Sequence, residues 1–146
     1  MKVMMFSKES FEADIPAGIK STTMRPRHGD TPRFNAGETV SARRWTGKAY
    51  RSSQREFAHV RILAATPVIY CCGQFTFRDA ESSVREFDIQ ELAKTEGFSS
   101  WQDLREWFDD ASDKARRKRE IAGFDLPLWL YRFELVRAIA ETADAI

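Results

Sequence analysis

The sequence predicts an α+β fold: a small, mostly antiparallel β-barrel with a few flanking helices, formed by residues 1–146 as a single domain. Three observations carry that expectation. Short apolar or β-branched segments recur at intervals punctuated by turn residues, the pattern of small sheets and barrels. Two stretches in the second half follow a helical period instead and open on capping residues. The 146 residues are 42% hydrophobic and include four Trp and eleven Phe, enough to bury one substantial core.

Lys2 to Phe6 is apolar enough for a first strand. Ser7 resembles an N-cap for a short helix running to about Ala13, which Pro16 and Gly18 then end. Ser21 to Arg25 reads as a second strand. In a regular strand Lys20 and Thr23 would face opposite sides, so they converge only if Lys20 stays in the turn that Gly18 permits. Pro26 to Gly37 is a loop, long enough to suggest function. Glu38 to Trp45 reads as a strand, Thr46 to Ser53 as a polar turn, and Glu56 to Ala65 and Val68 to Phe77 as two further strands. In Ser83 to Ile89, the residues Val84, Phe87 and Ile89 mark one more.

Asp88 or its neighbour can cap a short helix over Ile89 to Thr95 that stops at Gly97. Ser99-Ser100-Trp101-Gln102 has the Ser-x-x-Gln form of a capping box. The helix it opens carries Trp101, Leu104, Phe108 and Ala111 on one stripe, which core packing explains, with Asp103, Glu106 and Asp110 turned outward. Lys114 to Arg119 reads as a solvated loop, and Leu126 to Ala138 as a long closing strand.

The net charge is +1, but its distribution is uneven. Residues 20–61 hold ten Lys/Arg against three acids, residues 79–113 hold eleven acids against three bases, and residues 114–119 hold five bases in six positions. Either a basic face meets a polyanion or the two blocks pair internally; the pattern allows both. The longest apolar runs fall well short of the roughly 18–20 residues a membrane helix needs. The N-terminus is charged too soon for a secretory signal. A cytoplasmic protein is the default expectation. Cys71 and Cys72 are adjacent, where a disulfide would be strained and would close no useful loop, so reduced strand residues are expected. With only His28 and His59 elsewhere, no zinc-type spacing exists, and no metal or cofactor is expected.

Lys20, Thr23, Arg25 and Glu96 carry the candidate chemistry. A lysine is a base only when its pKa falls well below about 10.4, which burial and neighbouring cations bring about. A neutral amine beside Thr23 could take its proton, Glu96 beside apolar Phe98 could protonate a leaving amine, and Arg25 could orient an acyl oxygen. Base, nucleophile and acid make a complete set for acyl transfer to water. The plainer alternative is a solvated turn lysine, a strand threonine and an exposed helix end.

Gly18-Ile19-Lys20-Ser21-Thr22-Thr23-Met24-Arg25 resembles the Gly-x-Lys-x-x-Thr-x-Arg signature of the ASCH domains, which have a PUA-like β-barrel fold. Gly37-Glu38-Thr39-Val40 resembles the Gly-acid strand opening of that family. Glu96-Gly97-Phe98-Ser99-Ser100-Trp101-Gln102-Asp103-Leu104 resembles its acid-Gly-Phe helix opening. Order and separation agree across about residues 5–137. Among these proteins the small bacterial N4-acetylcytidine amidohydrolases use lysine as proton acceptor, threonine as nucleophile and glutamate as proton donor. By motif position the resemblance places those roles on Lys20, Thr23 and Glu96. It implies hydrolysis of the amide on the exocyclic nitrogen of an acylated cytosine nucleoside or nucleobase.

A second expectation comes from a different class, an RNA-binding PUA-like module with or without ribonuclease activity. The basic stretches 25–33 and 43–55 would contact phosphates, and Trp45, Tyr50 or Phe34 would stack on unpaired bases unless these rings serve the barrel interior.

Overall fold

The computed structural model of the chain describes residues 1–140. Its elements are β1 (Val3–Met5), α1 (Phe11–Asp14), β2 (Thr22–Pro26), β3 (Thr39–Trp45), β4 (Gln54–Cys71), β5 (Gln74–Arg78), β6 (Val84–Glu86), α2 (Ile89–Glu96), α3 (Trp101–Arg117) and β7 (Leu126–Ala138). The seven strands form one mixed sheet, so the α+β class holds. β1 pairs with β3 in parallel, and every other pairing is antiparallel. The path runs β1-β3-β4-β5-β6, with β7 also paired to β4 and β2 paired to β7. These ladders leave the sheet open, where the sequence reading expects a small barrel or curled sheet.

The largest departure from the sequence reading is β4. The two strands expected on either side of Thr66-Pro67 are one 18-residue strand. Proline is tolerated there because Pro67 pairs only with Trp129 of β7; the β3 pairing ends at Arg61 and the β5 pairing begins at Ile69. Its missing N–H therefore falls on a locally unpaired edge. Register shifts at Ala42/Arg43, His59/Val60 and Ile62/Ala64 supply the extra twist that lets β4 serve several partners.

β7 explains the layering. Trp129, Tyr131 and Phe133 enter one core with Met4, Phe6, Phe11, Phe34, Val60 and Ile62. Leu126, Leu128 and Leu130 enter a second with Tyr70, Phe75, Leu92, Leu104 and Phe108. Alternation along a single strand thus feeds two cores, one lined by β1 and α1, the other covered by α2 and α3.

The helices differ from the sequence reading in detail. Ser100 rather than Ser99 caps α3, accepting from Asp103 N at 3.2 Å. Lys114 to Arg117 form the last turn of α3 rather than a loop, where cations complement the carbonyl end of the helix. Cys71 ends β4, whereas Cys72 sits in the turn that follows, with φ 51°. Among the described residues no helix is long and apolar enough to cross a membrane.

Candidate active site

Lys20 reaches the interior from the turn between α1 and β2. Asp14 O accepts from Ile19 N at 2.9 Å and Lys20 N at 3.1 Å, while Gly18 takes φ 76° to let the chain fold back. Ser21 N donates to Thr95 O at 2.8 Å, and Phe133 N donates to Ser21 O at 2.9 Å. These bonds fasten the start of β2 to α2 and β7. Lys20 itself is only 2% exposed. Its Nζ donates to Thr22 O at 2.7 Å and Glu96 O at 2.8 Å, and lies 4.0 Å from Glu96 Oε1. The Phe11 ring sits 4.2 Å below it.

Burial lowers the Lys20 pKa from 10.5 to about 8; the Glu96 carboxylate opposes that shift, and the Arg25 and Lys8 cations reinforce it. A neutral amine has two N–H groups, and here two backbone carbonyls can engage both. The remaining lone pair is then directed away from those carbonyls, as a base requires.

Glu96 is delivered by the end of α2. Gly97, with φ 82°, donates to Ala93 O and Lys94 O, and Phe98 N donates to Ala93 O at 2.9 Å. That termination leaves the Glu96 carbonyl free for Lys20. A Cβ on Gly97 would lie 3.0 Å from a Phe11 ring carbon and 3.3 Å from Lys20 Cβ, so glycine also permits the close approach. The Glu96 carboxylate is buried and accepts a hydrogen bond from the Thr22 hydroxyl at Oε2. Thr22 Oγ1 is also 3.0 Å from Thr95 Oγ1, which donates to Leu92 O at 3.2 Å. The sequence reading missed Thr22, although it lies inside the quoted motif; strand alternation next to Thr23 is the signal that could have found it.

Thr23 faces the other way from Thr22, as strand geometry dictates. With Lys20 and Glu96 it lines a cavity of about 100 Å³ whose walls also include Arg25, Phe98 and Trp107. At about 30 Å³ per water, such a space holds roughly three waters or a group of similar size. The sequence-nominated Lys20, Thr23, Arg25 and Glu96 therefore meet at one cavity. Arg25 is half-buried and lies 4.9 Å from the Phe6 ring. Burial lowers its pKa to about 10, so it remains cationic at neutral pH, and its Nε is buried without a hydrogen-bond partner.

Arg25 and Met5 also border a larger cavity of about 600 Å³, lined further by His28, Arg33, Tyr50, Trp129 and Tyr131. Elsewhere in the basic block four arginines pair with acids outside the acidic block. Glu12 bridges Arg44 and Arg55 at 2.5 Å each, Arg43 lies 3.9 Å from Glu56, and Arg61 lies 3.0 Å from Glu134. Phe34 is a core residue, edge-on to Tyr131 at 5.3 Å, and so is not a stacking platform. Tyr50 is 88% exposed and tilts against Trp45 at 5.3 Å. Among the described residues no group of three or more His, Cys, Asp or Glu is arranged to hold a metal.

No family model matches the chain, and no curated protein matches it. Solved structures do. An ASCH domain from Lactobacillus crispatus JV V101 aligns with a TM-score of 0.59 at 16% identity, covering 92% of this chain and 79% of that one. A protein from Enterococcus faecalis V583, of the DUF984 family, aligns with a TM-score of 0.56 at 16% identity, covering 96% of this chain and 82% of that one. At that identity the likeness is one of fold, and in fold the chain is an ASCH-like domain.

Proposed function

We propose that the protein is an amidohydrolase removing an acyl group from the exocyclic nitrogen of a cytidine-type nucleoside, with N4-acetylcytidine giving cytidine and acetate. The observation that carries this reading is the buried Lys20 amine, fixed by two carbonyls beside Glu96, in a cavity that Thr23 lines. An acetyl group has three heavy atoms and suits a cavity with room for about three waters. In this scheme Thr23 Oγ1 adds to the acyl carbon as Lys20 takes its proton, and Arg25 stabilises the oxyanion. Glu96 protonates the exocyclic nitrogen as the C–N bond breaks. Water then cleaves the threonyl ester, giving a proton to Glu96, while Lys20 returns its proton to Thr23. Every group ends in its starting state, and acetate leaves with a proton released to solvent.

The test is loss of the acylated chromophore by ultraviolet absorbance, with Lys20→Ala and Thr23→Ala alongside. Turnover by wild type and loss in both variants supports the assignment; unchanged turnover in Lys20→Ala overturns it.

A second reading, RNA binding, is favoured by one specific feature. Exposed Tyr50 stands between Lys48 and Arg51 at the turn joining β3 and β4, the arrangement of a stacking residue flanked by phosphate contacts. It requires affinity for single-stranded RNA that falls steeply with salt and weakens in Tyr50→Ala.

A further inference from the structure

We infer that the substrate of this site carries a phosphomonoester, held in the 600 Å³ cavity between Arg25 and Arg33. The inference rests on the amidohydrolase reading and extends it to the class of substrate.

The smaller cavity accommodates the acyl group but not the rest of a nucleoside. Arg25 and Met5 border both cavities, so the body of the ligand lies in the larger one. That volume is within the usual range for small-molecule sites, about 300–1,000 Å³. Its chemistry is selective. Arg25, His28 and Arg33 line it together with Trp129 and Tyr131, and neither Asp nor Glu does. Four other arginines of the basic block, Arg43, Arg44, Arg55 and Arg61, each meet a carboxylate. Arg33 instead lies 5.3 Å from the Phe34 ring, and Arg25 keeps a buried Nε without an acceptor. Guanidinium groups held beside aromatic walls, in a cavity that no carboxylate lines, suit a dianionic phosphate, which accepts paired N–H donors. A neutral nucleoside offers them no such partner. The phosphate belongs either to a free nucleotide or to the 5′ end of an RNA chain.

Calorimetric titration with cytidine 5′-monophosphate and with cytidine, at low salt, tests this without needing turnover. The expected result is at least tenfold tighter binding of the nucleotide in wild type, falling below threefold in Arg33→Gln. Arg33 is exposed, so that variant keeps its fold. Equal affinity for the two ligands, or an undiminished preference in Arg33→Gln, overturns the inference. A short oligoribonucleotide with and without its 5′-phosphate separates the sources: preference for the phosphorylated chain over the free nucleotide assigns the chain end. RNA affinity that ignores the 5′-phosphate, with no preference between nucleotide and nucleoside, assigns internal phosphodiesters and overturns it. Hydrolysis of N4-acetylcytidine and of its 5′-monophosphate is scored separately, so phosphate preference with neither compound hydrolysed rejects the reaction and keeps the ligand class.

Discussion

Replacing Lys20 by methionine removes a buried amine whose pKa falls from 10.5 when exposed to about 8 in the folded protein. The sign of the consequence follows from proton counting. Between these two values the unfolded chain holds a proton that the folded chain has released, so stability rises with pH there. Below about pH 8 the folded protein carries the full cost of the buried ammonium. At 1.36 kcal/mol per unit, that cost is about 3 kcal/mol, most of it recovered between pH 7 and 10. Methionine lacks this titration. It also leaves Thr22 O and Glu96 O without their donor, a penalty that is constant with pH. Urea unfolding of both proteins across pH 7 to 10 should therefore show the wild type gaining about 2–3 kcal/mol relative to Lys20→Met. Other titrating groups are shared and cancel in the difference. A gap that stays flat within about 0.5 kcal/mol would mean that Lys20 remains an ordinary ammonium, and the base role would go with it.

The remaining predictions concern the neighbours of that amine. The active pair, neutral Lys20 with protonated Glu96, has the same proton count as the ion pair, so kcat/KM for N4-acetylcytidine should fall as pH rises through about 8; a rise through 8 would show that lysine shuttles the proton without Glu96. Thr22→Val should cost about 1–3 kcal/mol in urea unfolding and lower turnover, because the Glu96 carboxylate loses its hydroxyl donor, with Thr22→Ser restoring both; equal behaviour of the two variants would remove Thr22 from a positioning role. Gly97→Ala should destabilise by about 1–3 kcal/mol, through the positive φ and the approach to Phe11, and a melting temperature within a degree of wild type would refute the crowding argument.

The sequence made the periodic elements legible and left the irregular ones to tertiary context. β7 matches its expected span because alternating large residues run unbroken from Leu126, and α2 stops at Gly97 because only the left-handed cap ends it there. The strand through Pro67 was opaque, since a proline argues for a break unless the absence of a neighbour on one side is known. The open sheet was likewise hidden, because closure depends on the two ends meeting and not on any local pattern. Of the candidate site, Lys20, Thr23 and Glu96 were readable through motif spacing, but their convergence depended on the turn at Gly18 and the stop at Gly97. Thr22 escaped although strand alternation sets it opposite Thr23, because its partner Glu96 lies 74 residues away in the chain. The pairing of Arg44 and Arg55 through Glu12 also escaped: it joins three elements far apart in the chain.

The two-sided burial of β7 bears on how the molecule comes into being. Thr22 finds its partner only at Arg132, and Ala58 at Ala138, so the pairings that close both cores span most of the chain. Such long-range ladders carry a loop-closure cost that must be met before the contacts return it, which places folding in the slow class dominated by non-local strands. Until β7 docks, both apolar faces stand open and the carbonyl of Ser21 has no Phe133 N–H to hold it. Folding and completion of the site are in this sense one event. A nascent chain short of Phe133 would hold Lys20, Thr23 and Glu96 in sequence without yet possessing the site they form.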